Sequence, residues 1–187
     1  MTLSMKMKTL LATTATALVI GAAAPAMAET EARAVVDNYK TMAVAKYEDS
    51  LNTAKKLDEA IDAFIAEPSE EKLAAAKEAW LEARVPYQQT EAYRFGNPVV
   101  DDWEGRVNAW PLDEGLIDYV DDSYGGATDE NEYAALNIIA NPSVTLAGQE
   151  GDASEITPTL IADTLNEADG IETNVARGYH AIEFLLW

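Results

Sequence analysis

The sequence predicts an all-α protein, an up-and-down bundle of long antiparallel helices. Apolar residues recur at three- and four-residue spacing over long stretches that contain no Gly or Pro, which is the period of an amphipathic helix. No two neighbouring segments alternate as the strands of a hairpin do. The composition agrees, because 7 Pro, 10 Gly and 48% hydrophobic residues in 187 are typical of a packed globular chain. The length suits one domain or a piece of a larger one.

The first two helices are predicted to be long. The helical period is unbroken over residues 31–66, and a helix of that length extends roughly 54 Å, which calls for partners of similar length. A Pro-Ser pair at 68–69 breaks the chain, and two glutamates favour the start of a second helix over 70–95. Pro86 lacks a backbone donor, so we expect a kink near Glu82.

The rest of the chain is predicted to form shorter helices joined by loops. Residues 98–111 mix Trp and Pro with charged residues, and residues 121–126 and 143–156 are polar and contain Gly, so all three stretches are expected to be irregular. Capping residues and Asn-Pro or Thr-Pro pairs mark the helix ends. The shorter predicted helices cover residues 113–119, 129–140, 157–166 and 171–187.

Residues 1–28 have the pattern of a secretory signal peptide. Two lysines precede an apolar stretch, and an Ala-Met-Ala sequence ending at Ala28 supplies a cleavage site. The alternative is a buried or membrane helix, but this Ala/Thr-rich stretch carries Pro25 and would span a bilayer poorly. Residues 29–187 contain no run of about 18 apolar residues. We therefore expect an exported protein of the periplasm or cell envelope, with no membrane span in the mature chain.

The charge and the missing cysteines exclude several classes of protein. Asp and Glu number 33 against 13 Lys and Arg, a net charge of −20, so no basic surface is available for nucleic acid or for an anionic membrane. Without cysteine there is no disulfide, thiol nucleophile, Cys-ligated zinc or iron–sulfur cluster. The acidic surface favours solubility and attracts cations, which fits a metal-handling protein without establishing one.

His180 is the only histidine, and it lies three residues before Glu183 on the last predicted helix. The two side chains therefore share a helix face, where they can bind a divalent metal or form an acid–base pair. A purely structural His–Glu contact has the same spacing. The H-E-x-x-H pattern of zinc proteases is absent, so a complete metal site needs another carboxylate. Glu91 is the candidate, and one His with carboxylates suits iron, manganese or zinc.

Three separated stretches resemble the imelysin family, the iron-regulated protein A group. The family's G-x-H-x-x-E signature is matched at 178–187 by GYHAIEFLLW. The other matches are WLEARVPY at 80–87, which runs into EAYRF at 91–95, and NAWPLDE at 108–114. The resemblance implies an exported, all-helical protein of two helical bundles, of which this chain is the first, and it implies His180 and Glu183 as metal ligands.

Five further residues of these stretches are expected to line the site. Arg84 and Arg94 either bind a ligand anion or pair with Glu82 and Glu91, and pairing is the favoured interpretation. The expected lining residues are Arg84, Arg94, Trp110, Asp113 and Gly178.

Three functions remain open. The favoured one is a periplasmic protein that binds a divalent metal, iron first and zinc second, for iron acquisition, with envelope iron-uptake components as partners. The second is a cell-envelope metallopeptidase in which His180 and Glu183 are catalytic. The third is a helical envelope scaffold without metal. A single histidine and no H-E-x-x-H favour binding over proteolysis.

The last predicted helix becomes more apolar toward Trp187 and has no Gly stop or polar tail. We therefore expect the sequence to be the front part of a longer protein, truncated at its C-terminus. Leu185, Leu186 and Trp187 would then lack part of their packing here. The alternative is a terminal helix that packs into the core of this same chain.

Overall fold

The computed structural model describes residues 24–124, 126–141, 143–146 and 149–187. Most of the predicted signal peptide, residues 1–23, lies outside the described residues. The chain divides into two compact units. The first ends at Thr41, and its described part is helical throughout; the second is Met42–Trp187 and contains every contact discussed below.

Helices dominate the described residues, so the all-α prediction is confirmed. The α-helices are α1 at Ala24–Ala66, α2 at Glu70–Thr90, α3 at Pro98–Val107 and α4 at Tyr179–Leu186. None of these described helices combines the length and apolar character that crossing a membrane requires.

Helix α2 begins where the sequence predicts and is continuous through Pro86. Ser69 is its N-cap, and the Ser69 hydroxyl accepts a hydrogen bond from the backbone N–H of Lys72 at 3.2 Å. Pro86 lies in the last part of the helix, and its missing N–H removes one intrahelical bond, the one to the carbonyl of Glu82. The helix ends at Thr90, and a single 3₁₀ turn at Glu91–Tyr93 follows it.

Two stretches were predicted wrongly in opposite directions. Residues 98–111 were expected to be irregular, yet α3 occupies Pro98–Val107, because proline is well suited to the first turn of a helix. Residues 129–140 were expected to be helical but form turns. Their backbone N–H groups bind a distant segment instead: Asn137 donates to the carbonyl of Gly115 at 2.7 Å and Ile138 to that of Leu116 at 3.0 Å.

The last third of the chain also differs from the prediction. Residues 143–156 were expected to be a loop, but Ser143–Leu146 (β1) and Gln149–Asp152 (β2) form a two-stranded antiparallel ribbon. The predicted helix at 157–166 is present but winds mainly as a π-helix, Leu160–Leu165. The short helix at 113–119 is a 3₁₀ turn, Glu114–Leu116. The predicted helix at 171–187 is restricted to α4.

Two hydrophobic clusters form the core of the second unit. The helical core joins α1, α2 and α4, and α2 contributes the apolar stripe seen in the sequence. The loop core lies among the turns and short helices that precede α4. The buried residues of the helical core are Leu57, Ala76, Trp80, Ala83, Tyr87, Tyr179 and Leu186. Those of the loop core are Leu116, Tyr133, Ile138, Val144, Ala153, Leu160, Leu165 and Ala168.

Candidate functional site

His180 and Glu183 form a bonded pair on α4. The Nδ1 atom of His180 lies 2.9 Å from Oε2 of Glu183. An ionised carboxylate can only accept, so Nδ1 donates and the imidazole keeps a lone pair on Nε2. The side chain of His180 is 17% exposed and that of Glu183 is 41% exposed. The pair is therefore oriented and still reachable from solvent.

Trp110 covers the imidazole of His180. The centroids of the two rings are 4.8 Å apart and the ring planes are inclined by 54°. Trp110 itself is 65% exposed. The indole thus contacts the imidazole while most of its own surface remains exposed.

Gly178 allows two segments of backbone to approach closely beside the pair. It immediately precedes α4 with a φ of +89°, a conformation that other residues rarely adopt. A Cβ atom at Gly178 would lie only 2.7 Å from the carbonyl oxygen of Val107, at the end of α3. Backbone meets backbone here, so the site tolerates no side chain at this position.

Asp113 is the centre of a polar cluster that includes residues far away in the sequence. Its Oδ2 accepts hydrogen bonds from the hydroxyl of Thr173 at 2.6 Å and from the amide of Asn131 at 2.7 Å. The same Asn131 amide donates to Oδ1 of Asn174 at 2.8 Å. Asn174 is completely buried, and its own amide donates to the carbonyl of Ala168 at 2.9 Å. Buried polar groups in this region are therefore satisfied by one another.

Arg84 lies among three aromatic rings. Its guanidinium carbon is 5.0 Å from the ring centroid of Tyr179, 5.2 Å from that of Tyr87 and 5.6 Å from that of Trp80, distances at which cations and rings attract. It also donates to the side-chain oxygen of Asn108. Burial raises the pKa of both tyrosines, so their hydroxyls stay neutral beside the cation.

Arg94 pairs with carboxylates other than those expected. Its Nε is 2.9 Å from Asp101 and its Nη1 is 3.0 Å from Glu104, and the bond to Asp101 raises the arginine pKa. Arg94 thus pairs with two carboxylates of α3, which are not the predicted partner Glu91. Arg84 contacts Asn108 and the aromatic rings in place of Glu82.

The described residues bring His180 and Glu183 together but do not form a complete group of metal ligands. No three His, Cys, Asp or Glu side chains among the described residues are grouped as a metal ion requires. The exposed Glu91, in the 3₁₀ turn after α2, does not complete such a group with His180 and Glu183. The prediction of Glu91 as a third ligand gains no support from this arrangement, whereas the two donors of the pair remain available.

An open apolar pocket lies beside α4 and was not foreseen in the sequence. Its volume is about 580 Å³, and Gly178 and Tyr179 are part of its wall. Leu57 and Ser50 of α1 and Trp103 of α3 form other parts of the wall. The only sequence signal was a helical period in α1, which does not distinguish a pocket wall from an ordinary core face.

Comparison with known proteins shows which family this chain resembles. The family model described as imelysin matches residues 43–187, which include every candidate site residue. "Iron-regulated protein A" of Synechococcus elongatus is 33% identical over 60 residues, which are 32% of this chain. The match spans 17% of that protein's length. Because the family match extends over well more than half of the sequence, this chain belongs to the imelysin family.

Proposed function

We propose that this protein is an exported member of the imelysin family that binds a divalent metal through His180 and Glu183 and serves iron acquisition in the periplasm. Iron is the first candidate and zinc the second. The name of the cyanobacterial relative, which refers to regulation by iron, supports this direction. Envelope iron-uptake components are the expected partners.

The observation that carries the proposal is the geometry of the His180–Glu183 pair. Without a metal, Nδ1 of His180 and Oε2 of Glu183 share a proton across 2.9 Å. An ion that displaces this proton could contact both atoms, because metal–ligand bonds of about 2.0–2.2 Å bring neighbouring ligands to roughly this separation. Both side chains are partly exposed, so an ion from solvent can reach them. A metal bound here would act as a Lewis acid in a peptidase, or it would be the ion that a binding protein carries.

The pair supplies fewer donors than a stable site needs. Structural and catalytic metal sites commonly take three or four protein ligands, and the described residues bring two together here. The remaining positions would be filled by water or by groups that this arrangement does not include. We therefore expect weak binding by this chain.

Metal titration tests the proposal. Iron(II), manganese(II) and zinc(II) are titrated into the wild-type protein, His180→Ala and Glu183→Gln by calorimetry, with Glu59→Gln on α1 as an exposed carboxylate control. Removing His180 should weaken binding about tenfold or more, while the control should match wild type. Equal metal affinity in all four proteins would show that the His180–Glu183 pair is structural. The helical scaffold without metal would then be the remaining function.

A cell-envelope metallopeptidase is the second candidate. The apolar pocket favours it, since its wall includes Tyr179, the residue before His180, and it could hold an apolar side chain of a peptide. Hydrolysis of an unfolded protein that is lost with a chelator and in His180→Ala would support the peptidase. Metal binding without any hydrolysis would support the binding protein.

Export has a separate test. We expect cleavage after Ala28 and recovery of the mature protein from the periplasmic fraction. Mass spectrometry of the N-terminus of the purified protein distinguishes this outcome from an uncleaved chain.

A further inference from the structure

The segment that carries Trp110 is attached to the segment before α4 at both of its ends. We call residues 107–113 the Trp110 segment. At its first residue, the Val107 carbonyl lies against the backbone of Gly178. At its last residue, the backbone N–H of Asp113 donates to the carbonyl of Thr173 at 2.8 Å, and the Asp113 carboxylate accepts from the Thr173 hydroxyl at 2.6 Å.

The attachment at Asp113 is supported from a second direction. Asn131 donates to the same carboxylate oxygen at 2.7 Å, so Oδ2 receives two hydrogen bonds. Hydrogen bonds to an ionised carboxylate are stronger than those between neutral groups. Asn131 is itself held by the buried Asn174 at 2.8 Å. Asp113 therefore has a fixed position although its own segment is not helical.

Trp110 depends on these attachments because burial does not hold it. The side chain lies midway along the segment and is 65% exposed, so packing on all sides cannot determine where the indole sits. Its ring nevertheless lies 4.8 Å from the imidazole of His180. The attachments at the two ends of the Trp110 segment, together with the hydrogen bond from Arg84 to Asn108 within it, hold the backbone that carries the indole.

We propose that Asp113 is a positioning residue that holds Trp110 over His180 through Thr173 and Asn131. With Trp110 against the ring and Glu183 on Nδ1, the imidazole is restrained in rotation before a ligand binds. Restraint of a ligand before binding lowers the entropy cost of binding. The claim that this restraint helps His180 to bind a metal rests on the proposed function. The claim that Asp113 positions the indole does not depend on it.

The single histidine makes the proposal measurable without metal. Only one imidazole contributes to the histidine region of the NMR spectrum, and the ring current of Trp110 displaces its carbon-bound protons. Trp110→Leu supplies the reference position without the indole. Asp113→Ala, which removes both carboxylate bonds, should move the His180 signals most of the way to that reference. Thr173→Val, which removes one bond, should move them part of the way, and Thr173→Ser should restore them.

Tyr133→Phe is the matched control. It also deletes one hydroxyl bonded to a carboxylate, that of Asp169 at 2.8 Å, but it leaves the Trp110 segment untouched. The His180 signals should stay at their wild-type positions in this variant. Each variant is first compared with wild type by its amide spectrum, and if Asp113→Ala does not fold, the Thr173→Val and Thr173→Ser pair decides.

The proposal is overturned if folded Thr173→Val or Asp113→Ala keeps the wild-type His180 signals, or if Trp110→Leu does not change them. Zinc(II) titration of the same proteins bears on the proposed function separately. If the His180 signals move in the variants but the wild-type protein binds no zinc, Asp113 remains the positioning residue and the proposed metal binding is wrong. If zinc binding depends on His180 but the His180 signals do not move in the variants, the proposed metal binding remains and Asp113 is not the positioning residue.

Discussion

The helical core and the loop core of the second unit are held together by different kinds of contact. In the helical core, backbone bonds are local and the helices meet through apolar side chains such as Trp80 and Tyr179. In the loop core, backbone N–H groups bind carbonyls 22 residues away: Asn137 donates to Gly115 at 2.7 Å, and Ile138 donates to Leu116 at 3.0 Å. Apolar burial tolerates change better than a chain of mutually satisfied polar groups does. We therefore expect substitutions in the loop core to lower the free energy of unfolding more than substitutions in the helical core.

The largest effect is expected at Gly178, where the two regions meet. Alanine there would combine a φ of +89° with a backbone oxygen 2.7 Å from its Cβ. We expect Gly178→Ala to lower the free energy of unfolding by about 3 kcal/mol, measured by urea denaturation. Gly105→Ala, within α3 and with open space around its Cβ, is the control and should be neutral or slightly stabilising. Equal stability of the two variants would contradict the close approach.

Asn174→Ala tests the polar chain of the loop core. It removes one of the two hydrogen bonds to the Ala168 carbonyl, which keeps the one from the backbone N–H of Ile171, and it leaves one Asn131 amide donor without its buried partner. We therefore expect a loss of about 2 kcal/mol in the free energy of unfolding. Asn141, which donates to two carbonyls at the surface, is the matched amide, and Asn141→Ala should lose much less. A loss at Asn141 as large as that at Asn174 would mean that burial does not set the sensitivity of the loop core.

Arg84→Lys tests the guanidinium that lies among the aromatic rings of the helical core. Lysine keeps the charge but lacks the planar guanidinium that lies among three rings and binds Asn108, so the expected loss in the free energy of unfolding is about 1 kcal/mol. Arg106→Lys, at an exposed position of α3, should leave it unchanged. If both variants match wild type in thermal denaturation, the aromatic contacts of Arg84 do not contribute to stability.

The smallest effect is expected from the ion pair between Lys72 and Glu67. Its atoms are 2.6 Å apart, but the Glu67 side chain is 82% exposed. Glu67→Gln should change the free energy of unfolding by less than about 0.5 kcal/mol, because water screens such pairs. A loss similar to that of Asn174→Ala would remove the distinction between surface and buried polar contacts on which the comparison rests.

The difference between local and distant contacts also explains which parts of the fold could be predicted from the sequence. Helices α1 and α2 follow from local periodicity and from the Ser69 cap, and both were predicted close to their observed bounds. The predicted helix at 129–140 failed because its backbone pairs with residues 115–117, which no local pattern reveals. The predicted helix at 171–187 was too long because the positive φ of Gly178 sets its start.

The candidate site divides in the same way. The contact between His180 and Glu183 follows from their spacing on one helix, and the two atoms do meet. Thr173 and Asn131 carried no signal, since they lie 60 and 18 residues from Asp113 along the chain. Such pairs depend on the folded path of the loops, which composition and period do not describe.

The contact between Trp80 and Trp187 gives the packing of α4 on α2 an optical signature. The two indoles are 5.4 Å apart and inclined by 69°, and the Trp80 Nε1 also donates to the Tyr179 carbonyl at 2.8 Å. Two chromophores so close and so oriented couple their electronic transitions, which adds an exciton couplet to the circular dichroism of the peptide groups. Loss of that couplet with an unchanged helical signal would report α4 leaving α2 while each helix stays intact.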